Sequence, residues 1–136
     1  MVGEVLKTAK SLGPEDIYFI GTNILAGLFF LQLKGSRHGD LKPENILLDG
    51  EQNVRLCDMG RPSASIYATE LAPSPYVSLN RELFNNKEDI FSFGVTLHEM
   101  ATSLLPGNLA GGEYQPLHTL NTKQPVFFSE VVSRCL

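Results

Sequence analysis

The chain has 136 residues, enough for one domain with a sizeable apolar core. Its apolar fraction of 43 %, charged fraction of 19 % and net charge of −4 argue against a basic nucleic-acid-binding surface or a polybasic membrane anchor. The two cysteines, Cys57 and Cys135, make neither a disulfide framework nor a metal-ligand pair. Because there is also no secretory signal and no apolar run near about 18 residues, the sequence predicts an intracellular protein of the cytoplasm or nucleus.

Two helices are predicted at the start of the chain. Residues 1–12 are weakly amphipathic, and Gly13 and Pro14 interrupt them. A second helix is predicted from Pro14 to about Lys34, where Gly35 can end it. Its apolar stripe at helical spacing consists of Ile17, Ile20, Ile24, Leu28 and Leu31.

A β-hairpin is predicted next. Residues 46–48 and 54–57 are short apolar runs on either side of an Asp49-Gly50 turn. This hairpin places Asn45 at the start of one strand and Asp58 just past the end of the other, so the two side chains can converge.

The second half of the chain is predicted to be a long loop followed by helices. Residues 60–86 show no periodicity, and loops of this length are usually functional. A buried helix is predicted over about 88–104 from the spacing of Ile90, Phe93, Leu97, Met100 and Leu104. A Gly/Pro-rich connection at 106–112 and a further helix from 127 to 136 complete the chain.

Three short motifs contain the residue types that phosphoryl transfer requires. Residues 38–45 have the pattern H-x-D-x-K-x-x-N, residues 58–60 are D-M-G and residues 89–94 are D-I-F-S-F-G. Transfer of a phosphoryl group needs an acceptor for the hydroxyl proton, cations around the phosphates and oxygen ligands for Mg²⁺. Aspartate, lysine and asparagine within one loop provide these groups.

Each motif also has an ordinary structural explanation. An isolated Asp–Lys–Asn pattern is usually a polar surface turn, D-M-G a turn at a strand end, and S-F-G the interior of a helix. The glycines at 107–112 are not followed by Lys-Ser/Thr, so they predict a flexible connection, and Cys57 is more simply an inert buried cysteine than a reactive thiol. Only the three motifs together favour catalysis.

In their order and spacing these motifs resemble the catalytic loop, metal-binding loop and central C-lobe helix of eukaryotic protein kinases. The resemblance implies a protein-kinase-like C-lobe, mainly α with a short β-hairpin, truncated at both ends and without an N-lobe. It makes residues 1–136 one partial kinase domain with a catalytic loop at 38–45, a metal-binding loop at 58–60, an activation segment at about 58–83 and a central helix at about 88–104.

The resemblance also implies individual roles. Asp40 and Lys42 would be catalytic: Asp40 would accept the proton of the substrate hydroxyl, and Lys42 would neutralise charge on the γ-phosphate. Asn45 and Asp58 would ligate Mg²⁺. The residues implied to contact ATP are Lys42, Glu44, Asn45, Leu47, Cys57 and Asp58.

Neighbouring positions show further likenesses and departures. His38 would shape the loop by packing and hydrogen bonding, and Asp89 would hold the loop backbone. Gly39 stands where many kinases have an arginine that pairs with a phosphate on the activation loop, so activity should not require that phosphorylation. Met59 stands where phenylalanine is the commonest residue in kinases. The Ala-Pro-Glu that usually ends the activation segment is matched only in part.

A narrower resemblance is to the Wee-type inhibitory kinases of the cell cycle, which phosphorylate cyclin-dependent kinases. They too lack the catalytic-loop arginine, and residues 76–83, 104–107 and 111–115 are similar to their corresponding stretches. A cyclin-dependent kinase is the protein substrate that this implies. A generic or divergent Ser/Thr kinase is the competing interpretation.

Parts of a kinase domain are missing from this sequence. No Gly-rich loop and no Val-Ala-x-Lys strand with its partner glutamate helix precede the catalytic loop, although that Lys–Glu ion pair is needed for activity. We therefore expect a fragment with half an ATP site, low activity and exposed apolar surfaces at 17–31 and 126–136. Three hypotheses stay open. The first is an enzyme that uses ATP and Mg²⁺ with an N-lobe encoded elsewhere, and the second is a pseudokinase-like binding module. An unrelated helical domain is the third.

Overall fold

The structure is a computed structural model that describes residues 1–9 (backbone only at 6–9), 11–49, 51, 53–59, 76, 88–106 and 116–136. The predicted activation segment therefore lies outside the described residues, except for Asp58, Met59 and Tyr76. The predicted connection at 106–112 lies outside them except for Pro106, and so does most of the sequence that resembles Wee-type kinases.

The described part of the chain is mainly helical with one two-stranded antiparallel hairpin, as predicted. Its elements are α1 (Val2–Ala9), α2 (Pro14–Leu33), a short 3-10 helix (Pro43–Asn45), β1 (Ile46–Leu48), β2 (Val54–Leu56), α3 (Glu88–Thr102), α4 (Leu117–Leu120) and α5 (Val126–Cys135). The single-turn helix α4 was not predicted, because four residues are too few to show a period.

Helix α1 is shorter than the predicted helix over residues 1–12. Leu12 is buried, but its backbone N–H donates to the carbonyl of Met100, 2.8 Å away, and not to a preceding turn of α1. Helix α2 begins at Pro14 as predicted, and it ends before Gly35, whose φ of +67° is the left-handed conformation of a helix C-terminus.

Helix α2 packs between α3 and the hairpin. Its buried residues are Ile17, Ile20, Gly21, Ile24 and Leu28, while Leu31 is half-buried. A Cβ atom at Gly21 would lie 3.2 Å from Leu97 of α3, and one at Gly27 would lie 3.0 Å from Leu56 of β2. Glycines at these positions therefore let α2 approach both neighbours closely.

The outer face of α2 is apolar, in agreement with the predicted exposed surface. Its large exposed side chains are Tyr18, Phe19, Leu25, Phe29, Phe30 and Leu33. By length and composition alone α2 could cross a membrane. Its buried stripe packs against α3 and β2.

Helix α3 lies between α2 and α5. Phe93, Leu97 and Met100 are buried as predicted, but Ile90 and Leu104 are 38 % and 57 % exposed, so the prediction was wrong for these two residues. Ile90 lies in the first turn. The helix ends at Thr102, and Ser103 has a φ of +58°, which takes Leu104 out of the helical register.

The hairpin has the predicted strands, with Ile46 opposite Leu56 and Leu48 opposite Val54. The N–H of Cys57 donates to the carbonyl of Asn45 at 3.0 Å, which continues the pairing by one step. As a result Asn45 and Asp58 lie at the same end of the hairpin, as the sequence predicts.

Candidate active site

The loop between α2 and β1 is attached to the first turn of α3 by one carboxylate. Asp89 Oδ2 accepts the backbone N–H of His38 at 2.8 Å, and Oδ1 accepts that of Gly39 at 2.9 Å. Hydrogen bonds to an ionised acceptor are stronger than neutral ones. Gly39 has a φ of +82°, a conformation that favours glycine, in the turn that directs both amides to Asp89. The predicted role of Asp89 is confirmed.

His38 is fully buried and holds the backbone of the loop from the inside. Its Nδ1 accepts the N–H of Asp40 at 3.2 Å, so the neutral ring carries its proton on Nε2. Burial lowers the pKa of His38, and the charges of Asp89, Asp40 and Asp58 together with the backbone of Cys57 oppose that shift. This agrees with the predicted packing and hydrogen-bonding role.

Asp40 is bonded by Lys42 and Asn45, two other polar residues of the motif. Its Oδ2 lies 3.1 Å from Lys42 Nζ and accepts a hydrogen bond from Asn45 Nδ2 at 3.1 Å. Asn45 Nδ2 also donates to the carbonyl oxygen of Asp40 at 2.7 Å. The structure thus brings the predicted acid, cation and amide together, and both side-chain contacts of Asp40 go to one oxygen.

Asn45 and Asp58 lie at the same end of the hairpin and are residues whose oxygen atoms suit Mg²⁺. Because Asn45 donates through Nδ2, its Oδ1 is left to accept or to ligate. Asp58 is exposed and makes no hydrogen bond or ion pair with other described residues. It has a φ of +56°, and such backbone conformations in non-glycine residues cluster at functional sites.

Two residues of this chain are predicted to ligate Mg²⁺. The described residues include no group of three or more His, Cys, Asp or Glu that could enclose a metal ion. Mg²⁺ is usually bound by one or two carboxylates and takes its remaining ligands from phosphates and water. Asn45 and Asp58 therefore fit an ion that arrives with a nucleotide.

Three further predicted nucleotide contacts lie on or next to the hairpin. Leu47 is exposed on β1, and Cys57 is half-buried directly after β2. Glu44 is exposed in the short 3-10 helix, where its side chain would be 3.4 Å from a Cβ atom at Gly3. Their contacts with ATP stay predictions.

Beside this loop lies a polar cluster that sequence reasoning missed. The hydroxyl of Tyr76 donates to the carboxylate of Glu99, and the carbonyl of Tyr76 accepts from Ser92 Oγ at 2.7 Å. Burial raises the pKa of Glu99, as does the nearby charge of Glu44, while the bond from Tyr76 lowers it. Tyr76 and Glu99 are 23 positions apart, so no sequence pattern connects them.

An ion pair that sequence reasoning also missed joins the loop to α3. Arg37 Nη1 lies 2.9 Å from Glu88 Oε2, next to the contacts of Asp89. The two residues are 51 positions apart. Their opposite charges are the only sequence signal, and it is shared with many other pairs.

Comparison with known proteins identifies the family. The sequence profile of the protein kinase domain matches residues 2–124. The chain is 38 % identical over 109 residues to a putative protein kinase C delta type homolog of Drosophila melanogaster, 32 % over 114 residues to mitogen-activated protein kinase p38b of the same organism, and 32 % over 99 residues to tyrosine-protein kinase STYK1 of Homo sapiens. The chain belongs to the protein kinase family.

These alignments cover most of this chain but a small part of each relative. They include 74 %, 78 % and 67 % of the chain and 16 %, 31 % and 24 % of the respective relatives. The chain therefore spans less than a third of the length of these relatives.

Proposed function

We propose that this chain carries the catalytic loop and a metal-binding side of an ATP-dependent protein kinase, which phosphorylates a Ser/Thr or Tyr hydroxyl of a protein. The observation that carries the proposal is the bonding of Asp40 to both Lys42 and Asn45, in a loop that Asp89 holds by two backbone amides. A polar surface turn would not need this attachment.

Each residue of the loop has a role in this proposal. Asp40 accepts the proton of the attacking hydroxyl, while its bonds to Lys42 and Asn45 keep the carboxylate oriented. Lys42, whose side chain is partly exposed, provides positive charge beside the phosphoryl group that is transferred. Leu47 and Cys57 form the floor and back of the adenine pocket.

Asn45 and Asp58 would hold Mg²⁺ through one amide oxygen and one carboxylate. When bound, the ion would neutralise charge on the phosphate groups of ATP. The bond from Asn45 Nδ2 to Asp40 links the metal-binding amide to the proton acceptor. Movement of one would therefore disturb the other.

The substrate class is a narrower part of the proposal. Gly39 in place of the usual arginine supports a kinase of the Wee type, with a cyclin-dependent kinase as substrate and a role in the cell cycle. Such an enzyme would act inside the cell, in the cytoplasm or nucleus. Its activity would persist after phosphatase treatment, and loss of activity through dephosphorylation of the activation loop would contradict this.

Binding of Mg·ATP tests the proposed metal ligands. We expect the 136-residue chain to bind ATP in calorimetry only when Mg²⁺ is present. Asp58→Ala should abolish this binding, whereas Asp16→Ala, which removes an exposed carboxylate from the first turn of α2, should leave it unchanged. Equal binding by wild type and Asp58→Ala would refute the assignment of Asp58.

Phosphoryl transfer tests Asp40 separately. In a protein that joins this chain to an N-lobe, Asp40→Asn should keep Mg·ATP binding and reduce transfer by about 10²- to 10⁴-fold, the usual contribution of a general base. A folded chain that binds no nucleotide would instead support the second candidate, a pseudokinase-like binding module. The exposed apolar face of α2 is the observation that favours that candidate.

A further inference from the structure

The attachment of the catalytic loop to α3 involves one more residue than Asp89. Arg37 precedes His38, and its Nη1 lies 2.9 Å from Oε2 of Glu88, which precedes Asp89. Three consecutive loop residues thus bond to two consecutive acidic residues of α3. We propose that Arg37 is a positioning residue that acts through Glu88 to keep the catalytic loop on the first turn of α3.

The charges at this turn give Arg37 its role. Glu88 and Asp89 both lie in the first turn of α3, where the positive end of the helix favours carboxylates. Adjacent carboxylates also repel each other, and a cation on one of them reduces that repulsion. Arg37 therefore neutralises Glu88 and leaves Asp89 to accept the two loop amides.

The loop needs the Arg37–Glu88 attachment before His38 because the residue that follows His38 is Gly39. Glycine has no side chain that could hold the backbone leading to Asp40. Its backbone has a φ of +82° here, and glycine can adopt many other backbone conformations at little cost. Within the described part of the chain, Arg37–Glu88 is the ion pair that joins this loop to α3. The side chains of Arg37 and Glu88 are 50 % and 29 % exposed, so the expected effect is modest.

Amide exchange in the 136-residue chain measures this attachment directly. By NMR, Arg37→Gln and Glu88→Gln should each accelerate exchange of the His38 and Gly39 amides by about two- to five-fold, the factor that corresponds to a partly exposed ion pair. The double variant should exchange no faster than either single variant, because both remove the same interaction. Arg37→Lys should retain most of the protection.

Arg55→Gln is the matched control. It removes an arginine whose Nε lies 3.5 Å from Asp49 Oδ2 on the hairpin, and it should leave the His38 and Gly39 amides unchanged. Unchanged exchange in Arg37→Gln, or additive effects in the double variant, would overturn the role of Arg37. Glu88→Asp, which keeps the charge but shortens the side chain, provides the same test should a glutamine variant fail to fold.

The catalytic consequence rests on the proposed function. If this chain binds Mg·ATP, Arg37→Gln should preserve the affinity and lower phosphoryl transfer, since Arg37 is not among the residues proposed to hold the nucleotide or the metal ion. Failure of the wild type to bind Mg·ATP would remove the proposed function. The exchange measurements would still decide whether Arg37 positions the loop.

Discussion

The two ends of helix α3 are both bonded to distant parts of the chain, but with opposite arrangements of donors and charge. At the N-terminal end, carboxylates of the helix accept hydrogen bonds from residues 37–39. At the C-terminal end, carbonyl groups of the helix accept from neutral donors. Leu12 N–H donates to Met100 at 2.8 Å, and Asn121 Nδ2 donates to Ala101 at 2.7 Å.

Each end also has a fully buried histidine, and burial lowers the pKa of both. Around His38 the charges of Asp89, Asp40 and Asp58 oppose the shift, and at His98 the backbone bond to Leu104 opposes it. Burial therefore acts on the histidine at each end. At the N-terminal end three carboxylates also act on His38, and such concentrations of ionisable side chains are common at functional sites.

The largest expected effect is at the N-terminal end of α3. Asp89→Ala removes the acceptor of two backbone amides and should reduce the free energy of unfolding by about 2–4 kcal/mol in urea denaturation. Asp89→Asn keeps one acceptor oxygen and should lose about half as much. A loss no larger than that of Asp16→Ala would show that Asp89 does not hold the loop.

A fall in pH should destabilise the fold through the buried histidine at each end of α3. The pKa of His38 and of His98 is lowered from 6.5 in the folded chain, so the unfolded chain binds protons first as the pH falls. Stability is therefore fully present above about pH 6.5 and falls below it, by about 1.4 kcal/mol per pH unit for each histidine, until the folded pKa is reached.

Urea denaturation between about pH 7.5 and 5.5 checks this, with His38→Gln and His98→Gln each expected to reduce the slope. The pKa of Glu99 is raised above 4.5, and this shift increases the stability of the fold as the pH falls, opposite to the effect of the histidines. Comparison of each variant with the wild type therefore isolates the contribution of that histidine. A slope that neither variant reduces would contradict the assignment of this acid sensitivity to the two histidines.

Replacement of Gly39 tests the backbone of the catalytic loop. Gly39→Ala should cost about 1–2 kcal/mol, because an alanine is strained at a φ of +82°. Gly35→Ala, at a φ of +67° with no atom within 4 Å of the added Cβ, should cost a similar amount. Only Gly39→Ala should also weaken protection of the His38 amide, and an equal effect of Gly35→Ala would remove this distinction.

The smallest expected effect is at the C-terminal end. Asn121→Ala removes the hydrogen bond to the carbonyl of Ala101 and should cost about 1 kcal/mol in thermal or urea unfolding. Mg·ATP binding and exchange of the loop amides should stay unchanged. A change in either would mean that the C-terminal end of α3 also contributes to the site.

Much of the fold could be predicted because its signals are local. The period of apolar residues and the Pro14 and Gly35 boundaries predicted α2, and two short apolar runs predicted the hairpin. The prediction from residue spacing was wrong for Leu104, because α3 ends before this residue although the apolar pattern continues to it. Exposed Ile90 shows that one apolar residue in a first turn does not define the buried face.

Part of the candidate site could be predicted as well. Asp40, Lys42 and Asn45 lie within one loop, so their proximity follows from the chain itself, and Asp89 was predicted through the kinase resemblance. The pairs Arg37–Glu88 and Tyr76–Glu99 could not be predicted, because side chains of these types occur throughout the sequence.

The sequence by itself therefore determined most of the described helices, the hairpin and the order of the predicted catalytic groups, since propensity, periodicity and turn chemistry act over a few residues. Only the tertiary structure decided which charges meet and which histidine lies among carboxylates. Contacts between residues 51 positions apart exist because α2 packs against α3 through Gly21, and that packing places the catalytic loop on the first turn of α3.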